Sequence, residues 1–295
     1  MRSKRLALTA AAVAVTAALA TVGHAAFVVP YDLDVEQIAV DVPALPREWR
    51  GQELAVLSDL QVGMWAANLG AAEEAVDMIV EREPAAVLLA GDLLYSDDPP
   101  ALEQTALVSE LLQPLLTSGI PVVAVLGNHD HESGYAAELS ARLESIGVDV
   151  LRNEIADLRP PGGGPPLAVV GIGSRRAGLD RPAVAFAALP DDAPRVVLMH
   201  NPASFPALPA GTAPIAFAGH THCGQIVLPL GDGWSRLELR VDERYVVRGF
   251  ASPEYGAPGN DLYVTCGIGM SRLPLRLGAH PQVVFATLRD TASGP

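Results

Sequence analysis

Along this chain, short apolar runs keep ending on a residue that can bind a metal ion or move a proton. "AVLSD" ends on Asp59 and "VLLAGD" on Asp92; "VVAVLGNHD" delivers Asn128, His129 and Asp130; "RVVLMH" ends on His200, and "IAFAGHTH" on His220 and His222. Between the early runs lie longer stretches with helical periodicity: "NLGAAEEAVDMIVEREP", closed by Pro84, "ALEQTALVSELLQPLLTSG", closed by Gly119, and "GYAAELSARLESIG". Short apolar runs bounded by turn residues read as buried strands, and their alternation with helices implies a largely parallel sheet flanked by helices. In such a sheet, polar residues at the carboxyl ends of separate strands converge on one crevice.

The rest of the chain changes character. Residues 27–50 read as an extended lead-in, with a strand at "QIAVDV". A turn-rich loop, "RPPGGGPP", precedes "PLAVVGIG", "RVVLMH" and "PIAFAGH"; then "RYVVRGF", "DLYVTCGIG" and "QVVFATL" read as strands without intervening helices. This predicts a second, more antiparallel sheet packed on the first. The expected fold is α/β, a four-layer αββα sandwich of two mixed sheets flanked by helices, formed as one domain over residues 28–295. Apolar residues make up 49% of the 295, enough for a large core.

A lone Asp after a strand is usually a helix cap, and a lone His there is usually a hydrogen-bonded structural residue. Five strands ending this way are poorly explained by capping. Carboxylates, imidazoles and amides gathered in one buried crevice are costly to desolvate without a cation. The Asp and His mixture suits divalent transition metals, with ligands enough for two ions. Gly91, Gly127 and Gly219 each precede a candidate ligand and allow a sharp turn there.

The N-terminus supplies a second signal. Arg2, Lys4 and Arg5 precede "LALTAAAVAVTAALATV", and small residues surround Ala25. A basic region, an apolar run and a small-residue site define residues 1–27 as a signal peptide or an N-terminal membrane anchor, both readings open. Either would carry the catalytic domain outside the cytoplasm, exported or anchored through the N-terminus. The formal net charge of −14 argues against nucleic-acid partners. Cys223 and Cys266 form no CxxC pair, and the expectation is two free, partly buried thiols, with a single bridge as the alternative in an exported protein. His131, Arg175 and Arg176 read as solvated loop residues, and His24 and His280 receive no role.

The ordered set GD, GNHD, strand-end His and GHTH resembles the calcineurin-like metallophosphoesterase superfamily, over roughly residues 53–288. "GHTHCGQIVLP" and "LYVTCGIGMSRLPLRLGAHPQ" resemble its bacterial YkuE/YaeI-type phosphodiesterase branch. The resemblance implies two divalent metal ions (Mn, Fe or Zn): the first held by Asp59, Gln61, Asp92 and His222, the second by Asp92, Asn128, His200 and His220, with Asp92 bridging. Gln61 stands where the family usually has His. His129 would serve as acid or transition-state stabiliser, with Asp130 orienting it, and a hydroxide shared by the ions would attack phosphorus in line. The implied activity is phosphoester hydrolysis, most readily of a small or lipid-linked phosphodiester in the cell envelope. The alternatives are a pyrophosphohydrolase of a nucleotide-linked glycolipid, or a non-catalytic metal-binding scaffold.

Overall fold

The computed structural model describes residues 2–95, 101–227 and 246–291. From the N-terminus come helix α1 (Arg2–Phe27), strands β1 (Asp34–Val42) and β2 (Glu53–Leu57), helix α2 (Leu69–Arg82), strand β3 (Ala86–Leu89), helix α3 (Ala101–Thr117) and strand β4 (Val122–Val125). Two helices, α4 (Asn128–Glu132) and α5 (Ala136–Ser145), lead to β5 (Val148–Leu151), β6 (Ile155–Leu158) and β7 (Leu167–Ile172). The short α6 (Pro182–Ala185) is followed by β8 (Arg195–Met199), β9 (Ala216–Ala218), β10 (Gly249–Phe250), β11 (Leu262–Val264) and β12 (Gln282–Asp290).

The strands form two six-stranded sheets, ordered β1-β12-β2-β3-β4-β5 and β10-β11-β9-β8-β7-β6. In the first sheet β2, β3, β4 and β5 are parallel, with Leu54 opposite Ala86 and Val122 opposite Val148. Their side chains divide by the two-residue strand period. Val87 and Leu89 face the layer of α2, α3 and α5, while Ala86 and Leu88 face the second sheet. Helix α2 buries Ala71, Ala72, Ala75, Val76 and Ile79 as one stripe and ends at Glu83, whose left-handed backbone precedes Pro84. The inter-sheet core joins Val56, Leu88 and Val123 to Val169, Leu198 and Phe217. On the outer face of the second sheet, Val170, Val197 and Met199 pack with Ala185 of α6 and with Phe205 of a 3-10 turn spanning Pro202–Ala207. The two mixed sheets flanked by helices are thus the expected α/β sandwich, its fourth layer built from short helical pieces.

Two strand expectations are corrected. "QVVFATL" does not join the second sheet: β12 lies inside the first, parallel to β1 and antiparallel to β2. Its residues Gln282–Ala286 are all buried, so both its faces are covered, and β1 and β2 pair with its two edges. The second sheet is not mainly antiparallel: β7, β8, β9 and β11 are mutually parallel, and only its edge strands β6 and β10 run antiparallel. "RYVVRGF" is described only from Val246 onward, and Arg244 and Tyr245 lie outside the described residues. Strands β5 and β6, four residues each, carry too short a pattern to be read from sequence.

Helix α1 has 26 residues, about 39 Å at 1.5 Å per residue, which exceeds the roughly 30 Å hydrocarbon core of a bilayer. Its apolar side chains, Leu6, Leu8, Val13, Leu19 and Val22, are exposed rather than packed on the domain.

Candidate metal centre

The carboxyl ends of β2, β3 and β4 meet those of β8 and β9 at one end of the sandwich. Main-chain bonds brace the meeting point: Asp59 N–H donates to Gly91 O at 2.8 Å, Gln61 N–H to Asp92 O at 3.0 Å, and Gly219 N–H to His200 O at 3.1 Å. Asp59, Gln61, Asp92, His220 and His222 all have positive φ, at 53°, 52°, 53°, 74° and 48°. A left-handed residue costs an L side chain roughly 1–2 kcal/mol, and such strain gathers where function over-determines the backbone. Two glycines make room. A Cβ at Gly127 would collide with the carboxylate and backbone of Asp92, and one at Gly219 with Ser58 Oγ and Asp59 Oδ2.

One group gathers around Asp92. Donor atoms of Asp92, His200 and His220, all buried, lie within 4.8 Å of one another. Asp92 Oδ1 accepts from His129 N–H at 2.8 Å, and Oδ2 lies 3.1 Å from His200 Nε2. No hydrogen bond joins that last pair, and His200 Nε2 is buried without a partner while its Nδ1 sits 2.8 Å from Ala90 O. Nδ1 therefore carries the proton toward Ala90, and Nε2 aims at the shared space in front of Asp92. Asn128 Nδ2 is also buried without a partner, and Asn128 Oδ1 lies 3.5 Å from Asn201 Nδ2. Burial raises the Asp92 pKa, but His200 and His129 outweigh it and hold the carboxylate well below its usual range. Burial lowers the His200 pKa, and the adjoining Asp92 charge and contact reverse this to about 9, so a cation reaches Nε2 only by displacing a proton from it. A buried carboxylate that stays charged beside imidazole nitrogens is the chemistry a divalent cation satisfies, and Asn128 joins that set through Oδ1 with its amide turned over.

The second group is Asp59, Gln61 and His222. Asp59 accepts from Ser58 Oγ at 2.6 Å and from His220 N–H at 3.0 Å, and its Oδ1 lies 3.5 Å from His222 Nε2. Gln61 points its amide nitrogen at Asp92 Oδ2, 3.3 Å away, and at His222 Nε2, 3.4 Å away. Its Oε1 is buried without a partner. In this orientation Gln61 is a donor cross-linking the ligands, and it presents oxygen to a cation only with the amide turned over. Behind His222 stands the fully buried Arg276, Nη2 lying 3.4 Å from His222 Nδ1. Arg276 also donates to the carbonyls of Cys266, Gly267, Gly269, Ala279 and His280. Burial and the Arg276 charge, opposed by Asp59, bring the His222 pKa down to about 4, so the ring is neutral and available as a ligand. Sequence reading gave Arg276 no role. Its signal is an arginine between leucines in the apolar closing segment, where a charge must find partners.

His129 stands at the open side of the crevice. Its ring lies 4.8 Å from the Tyr95 ring, and its Nδ1 is 3.7 Å from Glu132 Oε2. Asp130, expected to orient His129, accepts at Oδ1 from Leu94 N–H and at Oδ2 from Gly127 N–H, each at 2.8 Å. It therefore positions His129 through the main chain, by capping α4 and tying it to the loop after β3. Burial and the nearby Asp92 charge push the Asp130 pKa up to about 7.

The expectation of free thiols is corrected: Cys223 and Cys266 are joined in a disulfide, their Cα atoms 4.5 Å apart. Cys223 follows His222 in a left-handed turn, and Cys266 precedes the Gly267 backbone packed on Asp59. The bridge thus fastens the two segments enclosing the Asp59 group, a proximity that sequence spacing does not reveal. His131 is half-buried in α4, Arg175 pairs with Asp180 at 3.2 Å, Arg176 N–H donates to Asn201 Oδ1 at 3.3 Å, and His280 pairs with Asp32 at 3.2 Å.

The chain matches the family model described as calcineurin-like phosphoesterase over residues 53–224. It is 31% identical over 239 residues to phosphodiesterase YaeI of Escherichia coli (strain K12), covering 80% of this chain and 82% of that protein. It is 25% identical over 271 residues to the metallophosphoesterase YkuE of Bacillus subtilis (strain 168), covering 91% and 90%. A solved structure, TT1561 of Thermus thermophilus, aligns with a TM-score of 0.43 and 13% identity over 74% of this chain and 90% of that one. Strand ends that present Asp59, Asp92, Asn128, His200, His220 and His222 to one crevice, in a chain so matched, belong to a hydrolase of the calcineurin-like phosphoesterase family.

Proposed function

We propose that the chain is a phosphodiesterase that uses two divalent cations, held outside the cytoplasm at a membrane, and acts on a small or lipid-linked phosphodiester. The observation that carries this reading is the convergence of the buried Asp92, His200 and His220 beside the Asp59, Gln61 and His222 group. Asp92, Asn128, His200 and His220 would hold one ion; Asp59, Gln61, Asp92 and His222 would hold the other. Bound divalent ions supply Lewis acidity toward phosphoryl oxygens and lower the pKa of water to near neutrality. Manganese, iron and zinc all accept this donor set.

The remaining work falls to the chain itself. Asp92 stays ionised under the influence of His200 and supplies negative charge to both groups. His129, partly exposed and backed by Tyr95, stands where it can donate a hydrogen bond or proton to a departing alkoxide. Asp130 keeps it there by fixing Gly127 and Leu94. The family and its YaeI relative support the phosphodiester class, and the exposed apolar helix α1 and the disulfide support an oxidising location beside a membrane. On an aryl phosphodiester, an aryl phosphomonoester and a nucleotide pyrophosphate, the diester is expected to turn over fastest, and His129→Ala to lower that rate about 100- to 10,000-fold without loss of fold. Faster cleavage of the pyrophosphate contradicts the substrate class, and an unaffected His129→Ala variant contradicts the role of His129.

A further inference from the structure

We propose that the rim of the metal centre carrying Trp65 and Leu273 rests on the bilayer surface, so that the phosphodiester cleaved is presented by a membrane lipid rather than drawn from bulk water. This rests on the phosphodiesterase reading and on retention of α1 as an anchor.

The exit of α1 is locked to the domain rather than tethered by a free linker. Ala25, Val29 and Pro30 are buried. Arg276 N–H donates to Ala25 O at 2.9 Å, and Asn68 Nδ2 donates to Pro30 O at 2.7 Å and to Ile268 O at 3.0 Å. The helix exit is therefore gripped by two segments, one around Asn68 and one running from Cys266 to Arg276, the second of which packs Gly267 on Asp59. Those segments also carry the exposed apolar rim. Trp65 is 63% exposed and Leu273 42% exposed. Each lies three residues from a residue gripping the helix exit, Asn68 and Arg276 respectively, a chain reach of at most about 11 Å. Phe27 and Tyr31 are exposed at the helix exit itself. Aromatic side chains at the end of an apolar helix and at the adjoining rim match the aromatic belt at the membrane–water interface. The exposed Arg272 beside Trp65 and Leu273 adds a cation at headgroup level to the apolar insertion that drives the contact.

The rim is coupled to the reacting end of the crevice. Trp65 Nε1 donates to Arg272 O at 3.4 Å, Arg272 N–H donates to Tyr95 Oη at 3.0 Å, and the Tyr95 ring lies 4.8 Å from that of His129. An indole seated at headgroup depth places His129 at the level of a lipid phosphate.

The test uses the full-length chain in phosphatidylcholine nanodiscs, with and without bromine on the upper acyl chain. Trp49 and Trp234 are present in both proteins, so the difference between wild type and Trp65→Phe isolates the rim indole. Brominated lipid is expected to quench that difference signal by at least half; equal quenching of the two proteins overturns the proposal. Trp65→Ser is expected to lower the ratio of vesicle phospholipid turnover to soluble aryl phosphodiester turnover at least fivefold, and an unchanged ratio overturns it. Absence of aryl phosphodiester turnover in every form sinks the phosphodiesterase reading instead, and the quenching result still decides the surface. Recovery of the mature chain without α1 in the soluble fraction overturns the proposal.

Discussion

Gln61 carries an amide where the family usually has an imidazole, and the structure gives that difference a geometry. The amide nitrogen reaches Asp92 and His222, and the oxygen is buried without a partner. To ligate a cation the amide must turn over and give up both contacts, and a carbonyl oxygen is a harder, weaker donor than imidazole toward zinc. Gln61→His is therefore expected to raise retention of the ion at the Asp59 group after chelator dialysis, read by elemental analysis. Equal retention in the two proteins contradicts this account of Gln61. The candidate ligand positions could be picked out because Asp92, Asn128, His200 and His220 are each the first polar residue after an apolar strand, with Asp59, Gln61 and His222 one to three residues behind such a position. Arg276 could not, because its partners are carbonyls from five separate residues that only the folded loop brings together. Asp130 was legible as a site residue, but its acceptance from Leu94 and Gly127 N–H depends on how α4 meets the loop after β3.

At the scale of elements, the βαβ order of the first half was readable because each strand is apolar throughout and each helix shows one apolar stripe. The return of β12 to the first sheet was not, since pairing partners are set by tertiary packing rather than by local pattern. That return is fastened by Arg82 of α2, which holds Glu53 of β2 through two contacts of 2.7 Å and lies over the Phe285 ring of β12 at 4.3 Å. Hydrogen bonding to Arg82, opposed by partial burial, holds the Glu53 pKa below its ordinary 4.5. Because the folded value is the lower one, the pair stabilises above pH 4.5 and its contribution disappears as pH falls through the folded pKa. Glu53→Gln is expected to cost about 1 kcal/mol in urea denaturation at pH 7 and less at a second, acid pH below 4.5. An equal cost at both pH values contradicts the ion-pair account. The Cys223–Cys266 bridge closes a 43-residue separation, worth about 4 kcal/mol by chain entropy. Reduction is expected to lower the thermal midpoint by several degrees and to speed metal loss from the Asp59 group; unchanged metal loss shows that the bridge does not brace that group.

At the scale of the whole molecule, the two sheets deliver candidate ligands to one crevice, and neither sheet alone supplies all the side chains of either group. Asp92 is the residue common to both, buried, turned left-handed and kept charged by its neighbours. The central claim is that this carboxylate organises a divalent-metal centre that performs the hydrolysis. The direct measurement is metal content per chain together with aryl phosphodiester turnover on the same preparations of wild type and Asp92→Asn, with thermal melting as the check on folding. The account predicts two divalent ions per wild-type chain, and loss of both turnover and at least one ion in Asp92→Asn with the fold retained. Undiminished turnover in Asp92→Asn, or turnover by wild type stripped of metal, would contradict it.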